Sequence, residues 1–153
     1  MDAIKRRRIN LVLSVLLVLT LAFIWGNSLL SREESAEVSG NVMELFGDLF
    51  ELLGLNTEDD HWLRKTTHFV EFGVLGCELA LLFFLNRGRR ISSAALAGSA
   101  ALASALVDEG LQIISHRAPE LRDVALDFTG AAFGMMLISL LLMFNQREKQ
   151  NHG

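Results

Sequence analysis

The sequence has few of the residues that mark the commoner kinds of catalytic or metal site. Its only cysteine is Cys77, so the fold does not depend on an internal disulfide. It has no His-x-x-x-His motif and no cysteine pair, which disfavours zinc, and it has no serine or cysteine nucleophile signature. The basic clusters are short and lie beside apolar stretches, which argues against nucleic acid as a partner.

Apolar residues, in contrast, are abundant. They make up 51% of the chain, and the mean hydropathy is positive, as is typical of a small integral membrane protein. Four apolar stretches predict transmembrane helices at about residues 9–25, 66–85, 91–114 and 124–144. Each is close to the roughly 20 residues that cross a bilayer. We therefore expect an all-α, polytopic membrane protein with a single domain over residues 1–153.

A longer segment, residues 26–65, separates the first two spans. Apolar residues recur there at helical spacing, with acidic residues on the other faces. The apolar positions are Val42, Leu45, Phe46, Leu49, Phe50 and Leu53. The pattern predicts an amphipathic helix on the outer face of the protein. Two roles remain open for this helix, simple packing over the bundle or a lid above a site.

The distribution of lysine and arginine predicts the orientation. Basic residues concentrate on one side of the predicted spans: Lys5, Arg6, Arg7, Arg8, Arg87, Arg89 and Arg90. The positive-inside rule then places both termini of this multi-pass protein of the cell membrane in the cytoplasm. The first span is expected to be a helix of the protein and not a cleaved signal peptide, because no small-x-small cleavage pattern follows Trp25.

Ionisable and polar residues lie near the outward-facing end of the later spans. Charges at membrane depth are costly, so they mark a functional site by default. The candidates for acid–base chemistry are His68, Asp108, Glu109 and Asp127. The candidates for binding a ligand are Lys65, Glu71, Gln112, Arg117 and Asp123.

Small residues repeat every four positions in the third and fourth spans and allow close helix packing. These residues are Ala97, Ala101, Ala105, Gly130 and Gly134. Each stripe leads into a polar stretch at the outer end of its span. The third and fourth helices are therefore expected to pack together and to present the polar residues to a shared space.

Two interpretations of the polar residues stay open. In the first, Lys65, Arg117 and Arg122 pair with carboxylates and lock the helix ends together. In the second, a polar pocket binds or acts on a lipid-like or cell-envelope molecule, with His68 as general acid or base. No cofactor is expected. A hard divalent cation would suit one histidine among several carboxylates but is not favoured. A transporter is less favoured, because no inverted repeat or broken helix is evident.

Two motifs carry a resemblance to a known family. The first is Lys65-x-x-His68-Phe69-x-x-Phe72-x-x-Leu75-Gly76. The second is Asp108-Glu109-x-x-Gln112, then Arg117, then Asp123-Val124-x-x-Asp127-x-x-Gly130-x-x-x-Gly134. With Asn27-Ser28 and Ser35-x-x-x-Ser39, their order and spacing resemble the VanZ-like family, named for a teicoplanin resistance protein. The resemblance covers nearly the whole chain.

The resemblance implies a small integral membrane protein, of a family in which some members are linked to lower susceptibility to glycopeptides. The chain departs from the family pattern at two positions. It has Asp127 where the family usually has Asn, and Phe72 where Tyr is frequent. The additional carboxylate adds a negative charge to an acidic site. Either one acid of this site stays protonated or a cation lies nearby.

Overall fold

The computed structural model describes residues 2–30, 34, 37, 40, 60–88, 91–115 and 120–151. Over these residues the long elements are four helices: α1 (Ala3–Leu29), α2 (Asp60–Arg87), α3 (Ile91–Ile114) and α4 (Leu121–Asn151). Each contains a stretch long and apolar enough to cross a membrane. The predicted all-α fold and its four spans are confirmed. The amphipathic helix predicted around residues 42–53 lies outside the described residues.

Three helices extend beyond the predicted spans at both ends. The extensions contain charged residues such as Lys5 in α1 and Arg87 in α2. Lysine and arginine are good helix formers, so a helix continues through them after it leaves the apolar part of the membrane. Gly88 ends α2 with a backbone φ of 78°. Glycine adopts this left-handed conformation without strain, which is why it commonly follows the last helical residue.

The two central helices are α2 and α3. They contact each other, and both contact α1 and α4. Between α1 and α4 there is no contact within the described ranges, so these two helices flank the central pair on opposite sides. The core between the helices contains Ile24, Phe72, Leu75 and the three alanines of the α3 stripe. Large apolar side chains cover much of the outside, as expected where lipid is the solvent.

Glycines allow α2 and α4 to approach until their backbones touch. A methyl group at Gly134 would collide with the carbonyl oxygen of Gly73, and one at Gly76 with that of Ala131. A methyl group at Gly130 would meet the carbonyl oxygen of Phe69. The expected packing of α3 with α4 is confirmed, but the α4 glycines face α2 instead of α3. The reason is that Gly73 and Gly76 give α2 a matching surface without side chains.

The opposite end of the bundle has its own polar contacts. Asn10 and Asn86 exchange side-chain hydrogen bonds of 2.7 and 3.1 Å, and Arg6 donates a 2.7 Å hydrogen bond to the carbonyl oxygen of Asn86. These contacts join the start of α1 to the end of α2. They leave the two ends of the bundle chemically distinct, since this end carries exposed amides and basic residues.

The contact between α2 and α4 generates a first prediction. Gly134→Ala should lower the free energy of unfolding by about 1–3 kcal/mol, because the added methyl group has no space and the two backbones must separate. The measurement is thermal unfolding of the purified protein in detergent. Gly98→Ala is the matched control, since nothing lies within 4 Å of a methyl group at that helical position. Equal stability of the two variants would show that the contact is not tight.

Candidate functional site

Buried polar residues from all four helices meet at one end of the bundle. Because successive helices run in opposite directions, the end of α1, the start of α2, the end of α3 and the start of α4 lie together. The buried polar residues at this end are Asn27, Ser28, Thr67, His68, Glu71, Asp108, Glu109, Gln112 and Asp127. A set of this size, drawn from every helix, is a site assembled by the fold and not a property of one helix.

His68 lies among three carboxylates. Its Nδ1 atom is 3.8 Å from Asp108 Oδ2, 3.9 Å from Glu71 Oε2 and 3.9 Å from Asp127 Oδ1. The three acids reach the imidazole from α2, α3 and α4. We call His68, Glu71, Asp108 and Asp127 the carboxylate cluster. His68 follows Arg64 by four residues, so it lies about 6 Å inside the start of this apolar span.

Hydrogen bonds fix the position of Asp108. Ser28 donates a 2.6 Å hydrogen bond to Oδ1, and Gln112 donates one of 3.0 Å to Oδ2. Gln112 is one helical turn after Asp108, which places both side chains on one face of α3. Ser115 donates a 3.0 Å hydrogen bond to the carbonyl oxygen of Ser28 and joins α1 to α3. Asp108 is therefore a fully buried carboxylate with neutral donors on both oxygens.

Glu71 has a weaker link to α1. Asn27 donates a 3.5 Å hydrogen bond to Glu71 Oε1, while Oε2 faces His68. Neighbouring residues at the end of α1, Asn27 and Ser28, therefore contact two different carboxylates of the cluster. They place α1 in the site even though most of its surface is exposed and apolar.

A second set of contacts lies nearer the end of the bundle. Lys65 Nζ is 3.0 Å from Asp123 Oδ1, which joins α2 to α4 by an ion pair. Glu109 accepts a hydrogen bond from the backbone N–H of Glu120, just before α4 begins. These contacts give each of the two outer carboxylates one direct partner. They also support the helix ends, as the structural interpretation of the polar residues predicts.

The structure brings most of the predicted site residues together. His68, Glu71, Asp108 and Asp127 form the carboxylate cluster. Gln112 contacts Asp108, and Lys65 contacts Asp123. Glu109 of α3 contacts the backbone of Glu120, just before α4, and is not among the contacts of His68.

Other residues named from the sequence fall outside this site. Arg117 is outside the described residues, and the side chain of Arg122 is exposed. Glu78, deeper in α2, accepts a 3.0 Å hydrogen bond from Thr20 of α1. Cys77, which is partly buried, donates a 3.4 Å hydrogen bond to the carbonyl oxygen of Gly134, at the contact of α2 with α4.

Two residues that donate hydrogen bonds to the carboxylate cluster were absent from the candidates selected by chemistry. Asn27 and Ser28 are uncharged and lie at the edge of an apolar stretch, where polar residues are ordinary. The signal that could have identified them is that Asn27-Ser28 is one of the short segments that carry the resemblance to the family. In the structure both are buried and hydrogen-bonded to carboxylates.

The arrangement has a definite chemical capacity. A histidine with carboxylates at its side can transfer protons, since the acids can orient the imidazole and stabilise its charged form. The same set can also bind a cation. Both capacities depend on the excess of acids over cations inside the bundle, because the described lysine contact is to Asp123 and not to the carboxylate cluster.

The hydrogen bond between Ser28 and Asp108 generates a second prediction. Ser28→Ala should lower the free energy of unfolding by about 1.5–3 kcal/mol, because it leaves a buried carboxylate oxygen without its donor. Ser92→Ala is the matched control, since Ser92 is exposed in α3. Thermal unfolding in detergent compares the two variants. An unchanged melting temperature for Ser28→Ala would mean that this contact contributes nothing to stability.

Comparison with known proteins identifies the family of the chain. The family model described as VanZ/LLP1 matches residues 12–142, which include the second and third spans, most of the first and fourth, and every residue of the carboxylate cluster. No curated protein and no solved structure matches the chain. The match confirms the resemblance seen in the two motifs. The chain therefore belongs to the VanZ/LLP1 family of proteins.

Proposed function

We propose that this membrane protein binds or acts on an amphipathic, lipid-like molecule of the cell envelope at the end of the bundle that holds the carboxylate cluster. One observation carries the proposal. Buried ionisable residues from three helices and hydrogen-bonding residues from the fourth converge at one depth. Apolar packing alone would hold such a bundle together, and ionisable groups at membrane depth are costly.

The proposed orientation places this end at the outer leaflet. Arg6, Asn10 and Asn86 lie at the other end, near the basic residues that begin α1 and end α2. The positive-inside rule assigns that basic end to the cytoplasm. The cluster then faces the periplasm or the cell exterior, and both termini are cytoplasmic.

The depth of the site supports a ligand that has both a polar and an apolar part. Asp127 follows Leu121 by six residues and so lies about 9 Å inside α4. At this depth a lipid headgroup meets its acyl chains. Lys65 at the rim, with Arg117 from the α3–α4 connection, would attract a phosphate or a carboxylate of the ligand.

A catalytic version of the proposal assigns roles to the same residues. His68 would act as general acid or base, and Asp108 or Asp127 would orient it. The ligand class covers envelope lipids, lipid-linked cell-wall intermediates and the tails of lipoglycopeptides. A lipoglycopeptide ligand would connect the site to the glycopeptide susceptibility linked to some family members.

A second candidate function is a membrane scaffold without a ligand. It is favoured by the ion pair between Lys65 and Asp123 and by the hydrogen bond between Ser28 and Asp108, which fasten helix ends together. In this version the buried charges only lock the bundle. The two candidates differ in what happens when a cluster residue is replaced without loss of the fold.

Lipid retention is the test of the proposed function. Protein purified in mild detergent should retain envelope lipid, and His68→Ala and Asp108→Asn should each reduce that retention severalfold with little change in the amount of folded protein. Mass spectrometry of extracted lipid gives the measurement. Asn86→Ala, which breaks the polar contact at the opposite end, is the control and should retain lipid normally.

The outcomes separate the two candidate functions. Retention that is equal in the parent, the cluster variants and the control would remove the support for a ligand site. Loss of both cluster variants from the membrane, with normal levels of Asn86→Ala, would favour the scaffold.

The orientation is tested by reporter fusions. Reporters placed after Gly88 and after Gly153 should read as cytoplasmic, and one placed near Glu58 should read as external, because the basic residues hold the other end inside. Paired phosphatase and fluorescent reporters give opposite signals at each position, so each fusion controls the other. A cytoplasmic reading near Glu58 would reverse the orientation and remove the outer-leaflet site.

A further inference from the structure

Three side chains from three different helices converge on one point inside the bundle. They are His68 from α2, Asp108 from α3 and Asp127 from α4, and one donor atom of each lies within 4.8 Å of the others. The distances from His68 Nδ1 to Asp108 Oδ2 and Asp127 Oδ1 are 3.8 and 3.9 Å. A hydrogen bond measures about 2.7–3.2 Å, so at these separations His68 Nδ1 is not hydrogen-bonded to either carboxylate oxygen.

The carboxylate of Asp127 is buried at this point without a hydrogen-bond donor from the described residues. Its side chain is 2% exposed, and neither of its carboxylate oxygens accepts a hydrogen bond from any residue in the described ranges. A buried charged group without partners is strongly destabilising, so such groups are normally paired or bound to a metal. The cation contact described nearby, that of Lys65, goes to Asp123 instead.

The spacing of the donor atoms suits a metal ion. Two of the separations are 3.8 and 3.9 Å, and all three donors lie within 4.8 Å of one another. Donors this close can share one ion at the usual metal–ligand distances of about 2.0–2.6 Å. Glu71 lies beside the imidazole and is outside this set of three. Its Oε2 atom is 3.9 Å from His68 Nδ1 and accepts no hydrogen bond from the described residues.

The orientation of Asp108 also fits this use. Ser28 and Gln112 fix its carboxylate with hydrogen bonds of 2.6 Å to Oδ1 and 3.0 Å to Oδ2. Hydrogen bonds of this kind commonly orient the carboxylates that bind metals. A carboxylate oxygen has capacity for a further contact after it accepts one hydrogen bond, so Oδ2 remains able to bind a cation.

We propose that His68, Asp108 and Asp127, assisted by Glu71, bind one divalent cation of the first transition series. One imidazole with two or three carboxylates suits Mn²⁺ or Zn²⁺ better than it suits Mg²⁺ or Ca²⁺, which prefer oxygen alone. The ion would neutralise the acids and join α2, α3 and α4 at one point. The sequence alone does not favour this site, because no second histidine or cysteine lies at metal-binding spacing from His68.

The metal site does not depend on the proposed lipid-like ligand. Metal binding is measured on the purified protein after treatment with a chelator and without added lipid. If the purified protein binds no metal but retains lipid normally, the metal site alone is overturned. Normal metal binding without lipid retention would overturn the proposed function alone.

Titration with Mn²⁺, followed by electron paramagnetic resonance, is the experiment. The protein should bind about one Mn²⁺ per chain, Zn²⁺ should compete for the site, and the bound ion should raise the melting temperature. Asp127→Asn should weaken binding by at least 10- to 100-fold, because it removes a charged ligand but keeps the size of the side chain. Without metal, this variant should unfold at the same temperature as the parent or higher, since one uncompensated charge is gone.

A matched control separates the site from acidity in general. Glu78→Gln removes another buried carboxylate of α2, one that is hydrogen-bonded to Thr20 and lies about 10 Å farther along the helix than Glu71. This variant should bind Mn²⁺ as the parent does. Equal binding by Asp127→Asn and the parent, or no binding of either metal by the parent, would overturn the proposal.

A spectroscopic measurement tests the site without any variant. Electron spin-echo modulation of Mn²⁺ bound to the parent should show coupling to a directly bound imidazole nitrogen. His68 is the histidine at membrane depth, so this signal would identify it. A bound ion without nitrogen coupling would contradict the assignment of His68 as a ligand.

Discussion

The site depends on the backbone contact between α2 and α4. Gly130 lies against the carbonyl oxygen of Phe69, which directly follows His68, and Gly130 itself is less than one turn from Asp127. A side chain at Gly130 would force the helices apart and remove the 3.9 Å approach of Asp127 to His68. Lipid gives helices no hydrophobic reason to associate, so this close packing must come from the small residues themselves.

The sequence predicted the spans and most members of the site because charges are rare at membrane depth and therefore easy to recognise. Because successive spans cross the membrane in opposite directions, His68, Asp108 and Asp127 were expected at the same end. The partner of each group was not predictable in the same way. Small residues occur on α2, α3 and α4, so the sequence did not decide that Gly134 would face Gly73. Ser28 carries no charge, and its role became visible only when α1 was placed beside Asp108.

The polar residues separate into two layers with different degrees of compensation. In the outer layer, Asp123 has Lys65 and Glu109 has a backbone N–H group. In the inner layer, Asp127 has no hydrogen-bond donor among the described residues. A purely structural lock accounts for the outer layer, because each of its two carboxylates has a cation or an N–H donor beside it. In the inner layer, the uncompensated carboxylate of Asp127 would destabilise a bundle that had no ligand. This difference between the layers favours a binding site over a purely structural role.

Three of the contacts that carboxylates make between helices share one order along the chain. Thr20 precedes Glu78, Ser28 precedes Asp108, and Lys65 precedes Asp123. In each pair the earlier helix provides the donor and the later helix provides the carboxylate. Chains are synthesised from the N-terminus, so each of these acids would enter the bilayer after its partner is already there. With this order of helices, none of these three acids would enter the lipid before its partner is present. A rearranged gene that encodes the same four helices in another order would lose this advantage.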